Sequence, residues 1–443
     1  MSPTWQAVLE GLVVLLAIFL GVRTGGIGLG LWGATGTAVL IFVFGADPGS
    51  PPIDAFFIII AVITASAVMQ AAGGIDWLVS IASRIIRRNP RRITLVAPLV
   101  AFAFTLGAGT SNIFFALIPV IYETSYRNGV RPERPLAAST VTSALGITAS
   151  PVSAAMAAYL TLLPDDFTLA DILTITIPAS IVACVVTSLV QNRIGKNLDD
   201  DQEYQARLRA GQVPSPAEVG ADQHAALPKT AARSAYVFLA AVVVIVVLGL
   251  FDELRPTVTV DKVSGPLSMT IVIEVVMFTA ALVNLLWNRV PPGDVVKEPL
   301  MESGLVAAIA LFGIAWMADT YLVNNQETVV NPLADIVKDH SWFLAVAIFL
   351  VAGLTTSQSA TTRTIIPIAL ASLSPATITA MWPSLVGVWL FPANGSQIAA
   401  VNIDKTGTTR LSKVPIWHSF TIPMLVSWVS VVLVGLLIAS LAF

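Results

Sequence analysis

The stretch Gly107-Ala108-Gly109-Thr110-Ser111-Asn112 decides how the rest of this chain is read. It interrupts an apolar run, Ile93–Tyr122, that starts directly after Arg91 and Arg92 and is followed by Arg127, Arg131 and Arg134. Arginine and lysine collect on the cytoplasmic side of apolar spans. The run therefore begins and ends on the same side, and a Gly/Ser/Asn break in its middle reads as the tip of a re-entrant helical hairpin. Non-helical backbone survives at membrane depth only where it is buried in protein or lines a water-filled cavity. The break is thus both a membrane signature and a pointer to a site.

Composition agrees. Of 443 residues, 56% are hydrophobic and 12% charged, against about 25% charged in soluble domains. Apolar runs near the roughly 20 residues that a membrane helix needs recur at Val8–Val22, Leu29–Gly45, Ala55–Ala72, Tyr236–Leu250, Ile273–Trp287 and Ile422–Ala442. They are continuously apolar rather than alternating, which selects helices over barrel strands. No cleavable signal peptide is expected, since the first run lacks a basic flank before it and is followed by Arg23, Gly25 and Gly26.

The basic residues fix a topology. Asp47–Asp54 carries two acids and no base and is placed outside; Arg84–Arg92 holds five arginines and is placed inside. Ala55 to about Ser83 is then one inward crossing, and the N-terminus is external. After the hairpin, Pro135–Thr161 crosses outward and Leu169–Gln191 returns. The polar stretch Asn192–Arg233, rich in Asp, Gln, Pro and Ala, reads as a loosely ordered cytoplasmic linker. The second half repeats the plan from the other side. Ser234–Leu250 goes out, Pro266–Trp287 comes in and Leu305–Tyr321 goes out. A hairpin enters from outside at Ser341–Leu373, with its break at Thr355-Thr356-Ser357-Gln358-Ser359. Ala376–Val401 goes in, and the last helix leaves the C-terminus external. This sorts 20 of the 24 basic residues to the cytoplasm, leaves Arg255, Lys262 and Lys338 outside, and puts Arg363 in the membrane.

The expected fold is an all-α polytopic membrane protein built from two inverted repeats, with about ten transmembrane helices and two re-entrant hairpins. Residues 1–193 form the first repeat with hairpin 93–123, residues 194–233 the linker, and residues 234–443 the second repeat with hairpin 341–373. Inverted halves with broken helices are the plan of secondary transporters, whose sites lie where the breaks meet. Two further breaks interrupt crossing helices, at Thr148-Ala149-Ser150-Pro151 and at Phe391-Pro392-Ala393-Asn394-Gly395-Ser396. A single proline or glycine would be a kink; two tips and two breaks paired by symmetry point to a site. Half-helix N-termini there suit a carboxylate.

Arg363 is the charged residue that stands out, because a cation at membrane depth costs at least a few kcal/mol. Its guanidinium could grip a carboxylate through two parallel hydrogen bonds, or pair with a buried acid, for which Glu274 is the candidate. Asp76 and Asp319 occupy matching points of the halves and read first as hinge or helix-end residues, then as proton-coupling acids. The lone cysteine, Cys184, excludes an intramolecular disulfide and reads as a small packing residue. The three histidines, His224, His340 and His418, lack ligand-spaced companions, so no metal site is expected. No Ser/His pair sits on facing spans, so no enzyme is expected either. The tryptophans read as interfacial anchors. The net charge of −3 gives no sign of a nucleic-acid partner.

At these residues the sequence resembles the anaerobic C4-dicarboxylate transporters of the Dcu type (A/B branch) over essentially its whole length. The resemblance is carried by Leu16–Gly21 with Gly25–Gly28, by Arg88-Asn89-Pro90 with Ile93-Thr94, and by Ile147–Pro151. In the second half it is carried by Ala315-Trp316 with Asp319-Thr320, by Ser357-Gln358 with Ala360-Thr361, and by Asp404 with Thr406–Arg410. It implies exchange or ion-coupled transport of succinate, fumarate, malate and aspartate across a bacterial inner membrane. It also implies homodimers in which a hairpin-bearing domain moves as an elevator, with Na⁺ or H⁺ coupling possible and no cofactor. The break Pro392-Ala393-Asn394-Gly395 departs from the family's Pro-Thr-Tyr-Pro type, which bears on substrate range rather than class. Another organic anion, such as a sugar acid or citrate, or a cation/proton antiport would keep the same architecture. On the resemblance, Thr110, Ser111, Asn112, Ser357, Gln358, Ser359 and Thr361 contact the substrate from the tips. Thr148, Ser150, Pro151, Pro392 and Asn394 line the breaks, and Arg363 neutralises one charge.

Overall fold

The structure is a computed structural model describing residues 3–24, 26–164, 166–216, 218–219, 227–260, 263–330, 340–391, 394–411 and 417–443. It is almost entirely helical. The first part runs α1 (Pro3–Thr24), α2 (Gly28–Phe42), α3 (Ile53–Ala71) and α4 (Gly74–Arg88) into a hairpin of α5 (Ile93–Ala108) and α6 (Asn112–Arg127). It then follows α7 (Glu133–Thr148), a short α8 (Ala154–Leu160) and α9 (Leu169–Gln191). After α10 (Gln202–Arg209) come α11 (Thr230–Leu250), strands β1 (Thr257–Val260) and β2 (Val263–Pro266), α12 (Met269–Asn288), α13 (Pro292–Val295) and α14 (Pro299–Asn324). A second hairpin pairs α15 (Trp342–Thr355) with α16 (Gln358–Leu370). The chain ends with α17 (Pro375–Met381), a 3₁₀ stretch Trp382–Trp389, α18 (Gly395–Ile403) and α19 (Thr421–Ala442).

Among the described residues, seven helices are long and apolar enough to cross a membrane, or eight if the bent pair α3–α4 counts as one span. The difference from about ten expected crossings has a physical source: α2 is short, and α7–α8 and α17–α18 are interrupted. The α3–α4 pair also corrects the expectation of one continuous crossing from Ala55 to Ser83. The chain bends by 76° there, at Gly73, which takes φ 82°. Beyond the bend α4 is amphipathic, with Leu78, Ala82 and Ile86 buried and Arg84 and Arg88 exposed.

The halves of the chain interlock. The first-half helix α2 packs on α14 of the second half, and the second-half helix α12 packs on α3 of the first. The short α8 packs on hairpin arm α16, and the short α18 packs on hairpin arm α6. The α2–α14 crossing is close because a Cβ on Gly313 would overlap the Gly30 carbonyl, the small-residue contact that lets membrane helices approach without a solvent-driven force. Helix α7 is buried all round, and its hydroxyls close on their own helix: Thr140 donates to Leu136 O at 2.8 Å and Thr148 to Leu145 O at 3.1 Å.

Two further expectations are corrected. The fold is not purely α: β1 and β2 form a two-stranded antiparallel ribbon, with Thr257 opposite Pro266 and Val260 opposite Val263. The first part of the linker is docked rather than loose. Leu198, Tyr204 and Val213 are buried, Tyr126 Oη donates to Pro214 O at 2.6 Å, and Arg131 bridges Glu133 and Asp201 at 2.7 Å each. Arg207 donates to Thr406 O at 3.0 Å and Arg410 pairs with Glu203 at 3.1 Å. The linker thereby ties the α6–α7 connection to the loop after α18. In that loop the buried Asp404 carboxylate is held by donors from Thr406, Thr408 and Thr409.

Candidate functional site

The first tip closes on Gly109, which takes φ 70°; a Cβ there would stand 2.7 Å from Val152 O. Glycine thus lets tip backbone lie directly on the first helix break. The second tip turns at Thr356, a non-glycine residue at φ 51°. Ser357 caps α16 by accepting from Ala360 N at 3.3 Å. Thr361 donates to Ser357 O and meets Thr355 Oγ1, both at 2.8 Å, and these bonds hold the left-handed turn. Gln358 Nε2 donates to Ala144 O at 3.2 Å, anchoring the tip on α7.

The breaks are held in the same local way. Ser153 caps α8 by accepting from Met156 N at 3.0 Å and donates back across the break to Ile147 O at 2.7 Å. On the other break, Asn394 N donates to Gln397 Oε1 at 3.3 Å while Gln397 Nε2 reaches Trp389 O at 3.0 Å.

Both tips, the second break and the residues flanking the first, Ile147 and Ala154, line one cavity of about 220 Å³, a size for a small metabolite where drug-sized ligands take about 300–1,000 Å³. Among the described residues its walls include Thr110, Ser111, Thr356, Gln358, Ser359, Trp389 and Asn394, and no charged residue. Among the described residues, Ser111 Oγ and Ser359 Oγ have no hydrogen-bond partner. Trp389 Nε1 is a buried donor without an acceptor. Helices α6, α16 and α18 begin at this cavity, with the first turn of α8 beside them. Helix N-termini carry about +0.5 charge each, so the site is anion-attracting without a charged side chain.

Of the residues singled out from sequence, Thr110, Ser111, Gln358, Ser359 and Asn394 line this cavity, and Asn112 opens α6 beside it. Thr148, Ser150 and Pro151 are buried in the break behind it. Ser357 and Thr361 are spent on the turn, and Pro392 lies outside the described residues. Trp389 was missed. It sits mid-span between Pro383 and Pro392, where an interfacial tryptophan would not be.

Arg363 is elsewhere. It lines a second cavity of about 410 Å³ with Asp54, Asp319, Thr161 and Ser50–Pro52. Its Nη2 donates to Thr161 Oγ1 at 2.8 Å. The acids facing it are Asp54 and Asp319, which corrects the pairing expected with Glu274. Asp319 Oδ2 accepts from Ser50 N at 2.6 Å, whereas Asp76 is exposed in the first turn of α4, so the two matching acids have different surroundings.

The family model of the anaerobic C4-dicarboxylate membrane transporters matches residues 6–443. The chain belongs to that family. It is similar to the anaerobic C4-dicarboxylate transporter DcuB of Escherichia coli O6:H1, at 35% identity over 94% of each chain. It is similar also to the C4-dicarboxylate transporter DcuA of Escherichia coli K12, at 36% identity over 94% of this chain and 95% of that one. For DcuA of Wolinella succinogenes the identity is 35% over 98% and 99%. Among solved structures, the YdaH transporter of Alcanivorax borkumensis aligns with a TM-score of 0.56 at 16% identity over 99% of this chain and 98% of that one. MtrF of Neisseria gonorrhoeae, of a class of antimetabolite efflux pumps, aligns at 0.55 and 12% over 99% and 94%. The family fold therefore extends to transporters of distant sequence, and the chain is a multi-pass membrane protein of that architecture.

Proposed function

We propose that the chain is a secondary transporter of C4-dicarboxylates such as succinate, fumarate, malate and aspartate, and that the substrate sits in the cavity between the two tips. The observation that carries the reading is the convergence of both tips, the second break and the flanks of the first on one small cavity, with no charged wall residue among the described residues. A dicarboxylate there meets the N-termini of α6, α16 and α18, whose partial charges offset most of a dianion, each about half an elementary charge. Ser111, Ser359, Asn394 and Trp389 Nε1 supply donors; Thr110 and Gln358 shape the wall. Relatives named as C4-dicarboxylate transporters over nearly the whole chain support the substrate class.

On this reading residues 1–193 and 234–443 are inverted halves of about ten crossings in all. The exchanged packing of α2 on α14 with α12 on α3, and of α8 on α16 with α18 on α6, supports it. The protein lies in the bacterial inner membrane with both termini external. It works as a homodimer in which the hairpin-bearing part moves as an elevator.

The test is uptake of labelled succinate into proteoliposomes, with and without internal fumarate, under imposed Na⁺ or proton gradients. Uptake that needs internal fumarate identifies an exchanger, and uptake driven by one gradient identifies a symporter and its ion. Absence of uptake in every condition sinks the substrate assignment.

A further inference from the structure

The cavity around Arg363 contains charges of both signs that do not touch. Arg363 on α16, Asp319 on α14 and Asp54 in the first turn of α3 all line it. Nη2 of Arg363 is engaged by Thr161, and Nε is sealed without an acceptor. Among the described residues no carboxylate oxygen lies within 4.0 Å of the guanidinium. Asp319 uses Oδ2 on Ser50 N, and Asp54 takes no hydrogen bond among the described residues. A cation thus stands across an open gap of about 410 Å³ from two acids, each fixed by a different element.

The ligand that fits can be found by elimination. A plain dianion would find one partner in Arg363 but two repelling carboxylates. A bare metal cation would be drawn to the acids but repelled by the guanidinium, and it could accept no hydrogen bond from it. A group with both signs on one carbon suits the gap, its carboxylate toward the guanidinium fork and its ammonium toward the acids.

We infer that this cavity recognises the α-amino-acid end of amino dicarboxylates, Arg363 taking the α-carboxylate and Asp54 and Asp319 the ammonium. It is a second substrate site, separate from the tip cavity, and it sets the preference for amino over plain dicarboxylates. The inference rests on the transport reading above and adds to it a selecting site.

The test is inhibition of labelled succinate uptake by unlabelled L-aspartate and by unlabelled fumarate, in the intact protein and in Asp54→Asn and Asp319→Asn. The ratio of the aspartate to the fumarate inhibition constant is expected to rise at least about tenfold in each variant, the loss of roughly one charge-assisted contact. Asparagine keeps an oxygen for Ser50 N at position 319. If that variant does not fold, Asp54→Asn decides alone, because Asp54 makes no side-chain hydrogen bond or ion pair among the described residues. An unchanged ratio overturns the inference, as does unaltered protein that carries succinate yet ignores aspartate; both leave the transport reading standing. If the unaltered protein carries no succinate, the transport reading fails instead. Calorimetric titration of L-aspartate into the detergent-solubilised protein then tests the cavity by itself: binding weakened tenfold in Asp54→Asn supports it, and equal or absent binding overturns it.

Discussion

The two cavities handle charge by opposite means. Among the described residues the tip cavity has no charged side chain on its wall, and it relies on helix N-termini and neutral donors. The Arg363 cavity carries a guanidinium and two carboxylates. The difference follows from what each site has to do when empty. A fixed charge at membrane depth costs at least a few kcal/mol, and a site that travels would meet that cost on every unloaded return. Backbone dipoles attract a carboxylate when it arrives and leave the empty site neutral. A site open at the rim, where Asp54 is exposed, can keep its carboxylates hydrated and use full charges to choose among ligands, although Arg363 itself rides on hairpin arm α16. On this view, the tips translocate and the charged cavity selects.

The sharpest way to break the comparison is Gly109→Val. A β-branched residue at φ 70° costs about 1–3 kcal/mol, and its Cβ would meet Val152 O, adding roughly 1–3 kcal/mol of overpacking. Succinate uptake is expected to fall at least about 100-fold, with the Arg363 cavity undisturbed. Normal uptake by a folded Gly109→Val protein, checked by size-exclusion chromatography, would remove the tip cavity from the mechanism. Trp389→Phe is expected to act next most strongly. It keeps the ring and deletes one buried N–H. A hydrogen bond to a charged group contributes about 1.5–3 kcal/mol, so the KM for succinate should rise about 10–100-fold with kcat little changed. A change confined to kcat would mean that Trp389 serves the movement and not the substrate.

What the sequence made legible follows from the range over which each signal acts. Spans and tips were readable because a run of about 20 apolar residues and a Gly/Ser/Asn break within one are local facts. Placement was not. Arg363 lies five residues past Gln358, about 7.5 Å farther along α16 at 1.5 Å per residue, which is enough to put it in another cavity. Only the packing of α3 and α14 reveals that its carboxylate neighbours are Asp54 and Asp319. Trp382–Trp389 reads as ordinary apolar helix, since Pro383 is tolerated in a first turn, so its 3₁₀ winding and the role of Trp389 stayed hidden. The linker misled through its charges, although Leu198, Tyr204 and Val213 mark where it docks. The ribbon was signalled by the alternation Thr257-Val258-Thr259-Val260 and overlooked in a chain so rich in helical runs.

A third measurement needs no mutation. If the Arg363 cavity selects through charges near solvent, salt should weaken it more than it weakens the tip cavity. The Debye length falls from about 30 Å at 0.01 M to about 3 Å at 1 M. Across that range the inhibition constant for aspartate is expected to rise about three- to fivefold, and the KM for succinate less than about twofold. Equal salt sensitivity would erase the distinction between dipole-built and charge-built sites.

The smallest effect on transport is expected outside both cavities, at the clasp of Arg131, Glu133 and Asp201. Burial alone would raise the Asp201 carboxyl, but the Arg131 hydrogen bond, helped by backbone donors and the Arg131 charge, overrides it and holds the group below the usual carboxylate range. A carboxyl depressed on folding contributes stability that is present above its unfolded pKa, about 3.9. That stability is lost as pH falls through the lower folded value. Between pH 8 and 5 the linker should therefore stay docked, and it should release only below about pH 4. A spin label on Ala210→Cys, read against the buried native Cys184, should show one broad-to-narrow transition as pH falls through that acid range. With Asp201→Asn the label should already be mobile at pH 7, because Arg131 is left facing Glu133 alone. Succinate uptake should change by less than about twofold, since the clasp touches neither cavity. A large loss of uptake in Asp201→Asn would place the clasp in the moving machinery, and selection and translocation could then no longer be divided between the two cavities alone.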